Sequence, residues 1–250
     1  MNPSLEDVSF VNTGLGNIDP KYIVKLYDKV QRNIIPGYFS FLREIALLTG
    51  RNRSPDFSVV DLGCGTGNLS YQINQQFPDA HIICVDRSLD ALNVAQSKFQ
   101  NIDGAHIKFL QIDFAEQMVT GCYDSIVSSF ALHHIPETLV LNLFKQIYSA
   151  LKPGGACWIG ETIYIESPQE FRAIQMRYNK FLEDNIALGH ITREELDERS
   201  NLMRKLEAFG FSFLRSVHMP VVLDILDSVG FNDVQCPYLE GNLAIFGGIK

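Results

Sequence analysis

Short apolar runs alternate with stretches of helical period along this chain of 250 residues. Residues 58–62, Ser-Val-Val-Asp-Leu, are too short and too evenly apolar for an amphipathic helix, which predicts a buried parallel strand. Runs at 81–85, 107–112, 123–129 and 156–161 predict further strands, the last entered through a turn at 152–155. Between them, residues 68–77 predict one helix, and Ser88 caps a second that runs to Phe99, with Leu92 and Phe99 inward and Asp90 in its first turn. Pro136 opens a third, whose Leu139, Leu143, Ile147 and Leu151 form the expected buried stripe.

The flanks follow other rules. Residues 1–18 are polar and carry no evident chemistry. Asp19 and Pro20 form an N-cap and first-turn pair, after which Ile23, Leu26, Tyr27 and Val30 share a face until the break at 35–37. A second helix starts at Tyr38, repeats through Leu42, Ile45 and Leu48, and stops at Gly50. Preceding the first strand, segment 19–50 is placed to cover a ligand site rather than to build the sheet.

Segment 167–210 is too long for one crossover and is expected to be a helical insertion, a lid or a dimer surface. Its first helix keeps Phe171, Ile174, Tyr178, Phe181 and Ile186 at helical spacing. Thr192 with Glu195 forms a capping box for the second, which ends at Gly210. The aromatics Phe171, Tyr178, Phe181, Phe209, Phe211 and Phe213 are expected to serve packing more than a substrate box. Residues 220–229 predict the last helix, ended by Gly230, and 231–236 with 243–246 a closing strand pair. No boundary divides the chain, so residues 1–250 are expected to form one domain, and this length suits one full-sized α/β unit.

Composition narrows the partners. A formal charge of −8 opposes a broad nucleic-acid footprint and favours a small-molecule substrate. The five cysteines, Cys64, Cys84, Cys122, Cys157 and Cys236, are odd in number and lack a C-x-x-C pair, which predicts reduced thiols in a cytoplasm and no metal site. No charged leader with an apolar core opens the chain, and no apolar run approaches ~18 residues, so no membrane partner is expected.

Chemistry concentrates after the first strand. Gly63, Gly65 and Gly67 let the backbone take positive φ and approach a ligand closely, with a helix N-terminus just beyond. A dinucleotide fingerprint, counted from Gly63, needs its third small residue where this chain has Asn68. Asp61 stands before the glycines, and Asp86 falls where a ribose-binding carboxylate belongs, ~20 residues on.

The ordered set V-D-L-G-C-G-T-G, Asp86, Asp113, S-S-F-A-L-H-H-I (128–135) and L-K-P-G-G (151–155) resembles the Rossmann-like class I S-adenosylmethionine (SAM) methyltransferases. The resemblance implies a seven-stranded, mostly parallel sheet with helices on both faces and SAM as cofactor. It implies a cofactor site of Asp61, Gly63, Cys64, Gly65, Gly67, Asp86, Arg87, Asp113, Phe114 and Ser129, with Asp113 near the adenine amino group and Phe114 against the ring. Asp113 also suits a turn cap. His133 and His134 lie where the methyl group emerges; either is a candidate base, or a loop-bracing histidine. Glu161 orients a substrate or caps the next loop, and Tyr164 is a further substrate candidate.

The segment Q-R-N-I-I-P-G-Y (31–38) is similar to the carboxy-S-adenosylmethionine synthase branch, which serves tRNA wobble-uridine modification. In that branch the closing tyrosine touches the cofactor, which implies a cofactor role for Tyr38. D-E-R-S (197–200) matches as well, implying that Arg199 grips a carboxylate, for which guanidinium is well shaped; a solvated helix arginine is the other reading. The chain departs from that branch in its full glycine loop and in Ser129, where the branch carries asparagine. Methyl transfer to O, N or C of a small metabolite is the leading expectation, with a possible homodimer. Carboxy-SAM synthesis from SAM and prephenate, and SAM binding without turnover, are the alternatives.

Overall fold

A computed structural model describes residues 20–50, 57–208 and 216–250. The expected Asp19 cap, the Gly210 stop and Phe209, Phe211 and Phe213 lie outside the described residues.

Seven strands form one sheet in the order β3-β2-β1-β4-β5-β7-β6. β1 (Ser58–Leu62), β2 (His81–Asp86), β3 (His106–Gln111), β4 (Tyr123–Ser129) and β5 (Leu151–Thr162) run parallel. β7 (Leu243–Ile249) inserts antiparallel between β5 and β6 (Asn232–Glu240). Strand order therefore reverses between β1 and β4, and an open α/β sheet holds its ligand at the carboxyl ends of strands on either side of such a switch.

The two apolar faces are covered separately. Phe41, Leu42 and Ile45 of α2 (Tyr38–Thr49) join Leu69 and Ile73 of α3 (Asn68–Gln76) and Leu92 of α4 (Leu89–Phe99) over Val59, Val127 and Trp158. On the other face, Leu143, Phe144 and Ile147 of α5 (Glu137–Ala150) and Leu226 of α8 (Met219–Val229) cover Val60, Ile126 and Phe246. Each such side chain, fully buried, contributes ~1.5–3 kcal/mol.

α1 (Pro20–Ile34) lies outside these layers, against α4 and the insertion helices α6 (Pro168–Ala187) and α7 (Arg193–Ala208). The Thr192–Glu195 capping box is present in both directions, at 3.1 Å each way. Ser88 caps α4 by accepting from the Ala91 N–H.

Three expectations are corrected. Leu139 is 37% exposed, because the face of α5 that meets the sheet runs through Val140, Leu143, Phe144 and Ile147, a position further round the helix. Residues 152–155 are not a turn before β5 but a bulge inside it: Leu151 already pairs with Tyr123, and pairing resumes at Ala156 with Ser125. Phe171 is 46% exposed, so it packs nowhere in the core; of the first insertion helix only Ile174 and Asn185 are buried.

Candidate active site

The loop after β1 takes left-handed backbone at Gly63 (φ 68°), Gly65 (φ 53°) and Gly67 (φ 78°). A Cβ at Gly63 would stand 2.5 Å from the Ala131 Cβ and 3.1 Å from the Phe114 ring, so strand ends close tightly there. At Gly65 the same atom would meet nothing within 4 Å. That position faces open space, as a cradle for a ligand must.

Asp86 fixes the loop. Its carboxylate accepts from the Gly65 N–H and the Ser88 N–H, both at 2.8 Å. Burial raises its pKa, opposed by those two N–H groups. Asp61 is fully enclosed under the loop, where one oxygen accepts from Ser70 Oγ at 2.6 Å and the other, Oδ1, has no partner. Desolvation pushes its carboxyl up to about 7, against the Ser70 hydrogen bond. Asp113, after β3, accepts from the Ala115 N–H at 3.0 Å and stands 3.8 Å from Arg87. It therefore braces a turn, whatever else it does. Cys64 is buried with its thiol 3.7 Å from the Gly65 carbonyl, and burial raises its pKa well above the usual thiol range.

α1 closes over the loop through a residue that pattern reading passes over. The Asp28 carboxylate accepts from Thr66 Oγ1 and Asn68 Nδ2 and pairs with Lys98 of α4. Desolvation lowers the Lys98 pKa, with Asp28 pulling it back. Tyr38 is 8% exposed, bonded through its hydroxyl to Asn68 Nδ2 at 3.1 Å and stacked on Phe130 at 5.9 Å. Phe130, next to Ser129 at the end of β4, holds a positive φ of 53°, a strained state for a bulky residue.

The second half of the site gathers at the ends of β4 and β5. Glu161, 0% exposed, accepts from the His133 backbone N–H at 3.3 Å and contacts His133 Nδ1 at 2.9 Å. A carboxylate only accepts, so in this pair His133 Nδ1 carries the proton and Nε2 is the basic nitrogen. His134 lies with its ring 4.1 Å from that of His133. Arg199 of α7 meets α1 instead: it donates to Gln31 Oε1 at 3.2 Å and sits 5.4 Å over the Tyr27 ring. Its Nε is buried without a partner. Burial raises the Tyr27 phenol pKa and Arg199 lowers it, while Glu161 is near enough to raise it slightly. Tyr164 stands apart, 58% exposed and stacked on His218 at 6.0 Å.

Pattern reading missed Tyr27, Asp28 and Lys98 as site residues. Only Gln31 had a signal, its place in the quoted segment.

Against known proteins, a family model described as a methyltransferase domain matches residues 59–155, from β1 into β5. With the sheet order and glycine loop, the match defines the class: the chain is a SAM-dependent enzyme built on a Rossmann-like class I methyltransferase domain. It is similar to the carboxy-S-adenosyl-L-methionine synthase of Hydrogenovibrio crunogenus, 27% identical over 257 residues, covering 99% of this chain and 96% of that one. Among solved structures it resembles magnesium protoporphyrin IX methyltransferase from Synechocystis with bound SAH (17% identity, TM-score 0.60, 88% and 87% of the two chains). It also resembles the pyocyanin biosynthetic protein PhzM (20% identity, TM-score 0.57), covering 84% of this chain but only 54% of that longer one. The open position at Gly65 fits a SAM ligand. Among the described residues, no helix is long and apolar enough to cross a membrane.

Proposed function

We propose that the chain transfers a methyl group from SAM to an O, N or C nucleophile of a small metabolite, with His133 taking the nucleophile's proton. The observation that carries this reading is the His133–Glu161 pair: a fully buried carboxylate has His133 as its basic partner, so the imidazole is locked in one orientation with Nε2 available. SAM, when bound, supplies a methyl group already activated on a sulfonium. The protein's share is to hold reactants in line and exclude water, a contribution of up to ~7–11 kcal/mol in favourable cases. On this reading Gly63, Cys64, Gly65, Gly67 and Asp86 line the adenosyl cradle, with Arg87, Asp113 and Phe114 beside the base. Tyr38 and Ser129 face the amino-acid end, and Asp61 supports the loop from below. His134 borders the acceptor, and Tyr164 takes no part. A cytoplasmic homodimer fits the five free thiols and the helical insertion as a partner surface.

Incubation with SAM and a panel of hydroxy, amino and phenolic acids, read by mass spectrometry, tests the reading. A methylated acceptor should form with S-adenosylhomocysteine, and His133→Gln and Glu161→Gln should each cut turnover about 100-fold while SAM affinity holds. Unchanged turnover in both variants overturns the base assignment.

A second reading, carboxy-SAM synthesis, is favoured by Arg199, whose buried Nε and Gln31 contact leave a cation able to take a carboxylate, and by the near full-length likeness to the Hydrogenovibrio crunogenus protein. SAM with prephenate would then yield carboxylated SAM, and Arg199→Ala would abolish it without weakening SAM.

A further inference from the structure

Asn68 occupies the slot where a dinucleotide fingerprint needs a third glycine, and its side chain shows what this chain has there instead. The amide oxygen accepts from Lys98 Nζ at 2.6 Å. The amide nitrogen donates to Asp28 Oδ1 at 2.6 Å and to the Tyr38 hydroxyl oxygen at 3.1 Å. A cation requires the oxygen and a carboxylate requires the NH₂, so the amide has a single orientation and both its N–H groups are used.

The consequence falls on Tyr38. Its hydroxyl receives an N–H and keeps its own proton to donate, and no acceptor among the described residues takes it. The ring, 8% exposed and stacked on Phe130, does not swing out to water. Burial holds the phenol protonated far above neutral pH. A neutral hydroxyl fixed as a donor, on the β4 side of the loop, calls for an acceptor on the ligand.

We propose that Asn68, oriented by Asp28 and Lys98, is a positioning residue that makes Tyr38 an obligate donor to the carboxylate of the bound cofactor's amino-acid end, and thereby selects cofactors that carry that carboxylate. This rests on the reading that Tyr38 faces SAM. The Asn68 amide sets the direction of the Tyr38 proton; Asp28 and Lys98 set the amide.

Titration calorimetry with SAM and with decarboxylated SAM, which keeps the sulfonium and the amine, isolates the carboxylate. The wild-type chain should bind SAM at least about tenfold tighter, the worth of one charge-assisted hydrogen bond. Asn68→Asp, whose carboxylate accepts the Tyr38 proton, should bring the two affinities within about threefold by weakening SAM alone. Lys98→Met combined with Asp28→Leu, which removes both groups that hold the amide, should narrow the gap partway, and Tyr38→Phe should close it. Parallel weakening of both ligands in Asn68→Asp and in the Asp28→Leu, Lys98→Met double variant, or an unaltered ratio in both, overturns the proposal. Failure of the wild-type chain to bind either ligand would instead sink the SAM reading on which it stands.

Discussion

On the β1–β2–β3 side of the site, the strand-end carboxylates bond over short sequence distances. Asp86 reaches Gly65, 21 residues away, and Ser88, two away; Asp61 reaches Ser70, nine away. Between α1 and α7 the groups come from far apart: Arg199 meets Gln31 across 168 positions, and Lys29 meets Glu195 across 166. The first side is a rigid socket whose polar groups are mostly satisfied before a ligand arrives. The second leaves the buried Arg199 Nε without a partner, a donor that a ligand's acceptor would satisfy. On the proposed reading cofactor binding and acceptor recognition are separable, and variants should be able to damage one without the other.

The largest effect should come from the socket. Gly63→Ala forces an alanine into left-handed backbone against the Ala131 Cβ at 2.5 Å, a combined cost of about 2–5 kcal/mol from strain and overpacking. Urea denaturation should register it, with loss of SAM binding. Gly65→Ala has the same backbone strain but no neighbour within 4 Å, so it should cost only about 1–2 kcal/mol while still blocking SAM. Equal destabilisation by both would mean that the open face at Gly65 is not a ligand space.

A charge on the same side gives an intermediate effect with a definite sign. Burial raises the Asp61 carboxyl to about 7 from 3.8. Below about pH 4 folded and unfolded chains both hold that proton, and the stabilising contribution is complete. Between pH 4 and 7 the unfolded chain has released it and the folded chain has not, so stability declines as pH rises, by up to a few kcal/mol. Asp86, also raised by burial, acts in the same direction. Asp61→Asn should flatten the decline in stability of the ligand-free chain between pH 5 and 8 without abolishing it. An identical slope in wild type and variant would show that Asp61 is not the buried acid responsible.

The contrast between the halves also explains what pattern reading reached. β1 and β2 were legible because buried parallel strands are near-continuous apolar runs, β3 because an edge strand alternates, and the loop because three glycines fall within five residues. Asp28 and Tyr27 were hidden because a polar or aromatic position on an amphipathic helix looks the same whether it faces water or a site. Glu161 was visible as a strand-end acid, but its pairing with His133 needed the neighbouring register of β4 and β5. The bulge at 152–155 passed for a turn because lysine, proline and two glycines favour turns, whereas β5 tolerates them by letting Gly154 bond across to Lys250. Of the expected α5 stripe Leu143 and Ile147 hold, Leu151 opens β5 instead, and Leu139 gives way to Val140 because the two are equally apolar and only packing separates them.

The smallest effect tests the acceptor half alone. Thr192 caps α7 by accepting from the Glu195 N–H, while Glu195 returns a bond to the Thr192 N–H and ties α7 to Lys29 of α1 at 2.6 Å. Thr192→Ala removes one side of that box and should cost about 1 kcal/mol. Fraying the start of α7 loosens its seat on α1, and with it the placement of Arg199 over Tyr27. Glycine-loop contacts do not pass through α7, so SAM affinity by calorimetry should stay within about twofold while KM for the acceptor rises several-fold. Were SAM affinity to fall in step with acceptor binding, the halves would be mechanically coupled through α1, with Asp28 as the link between them.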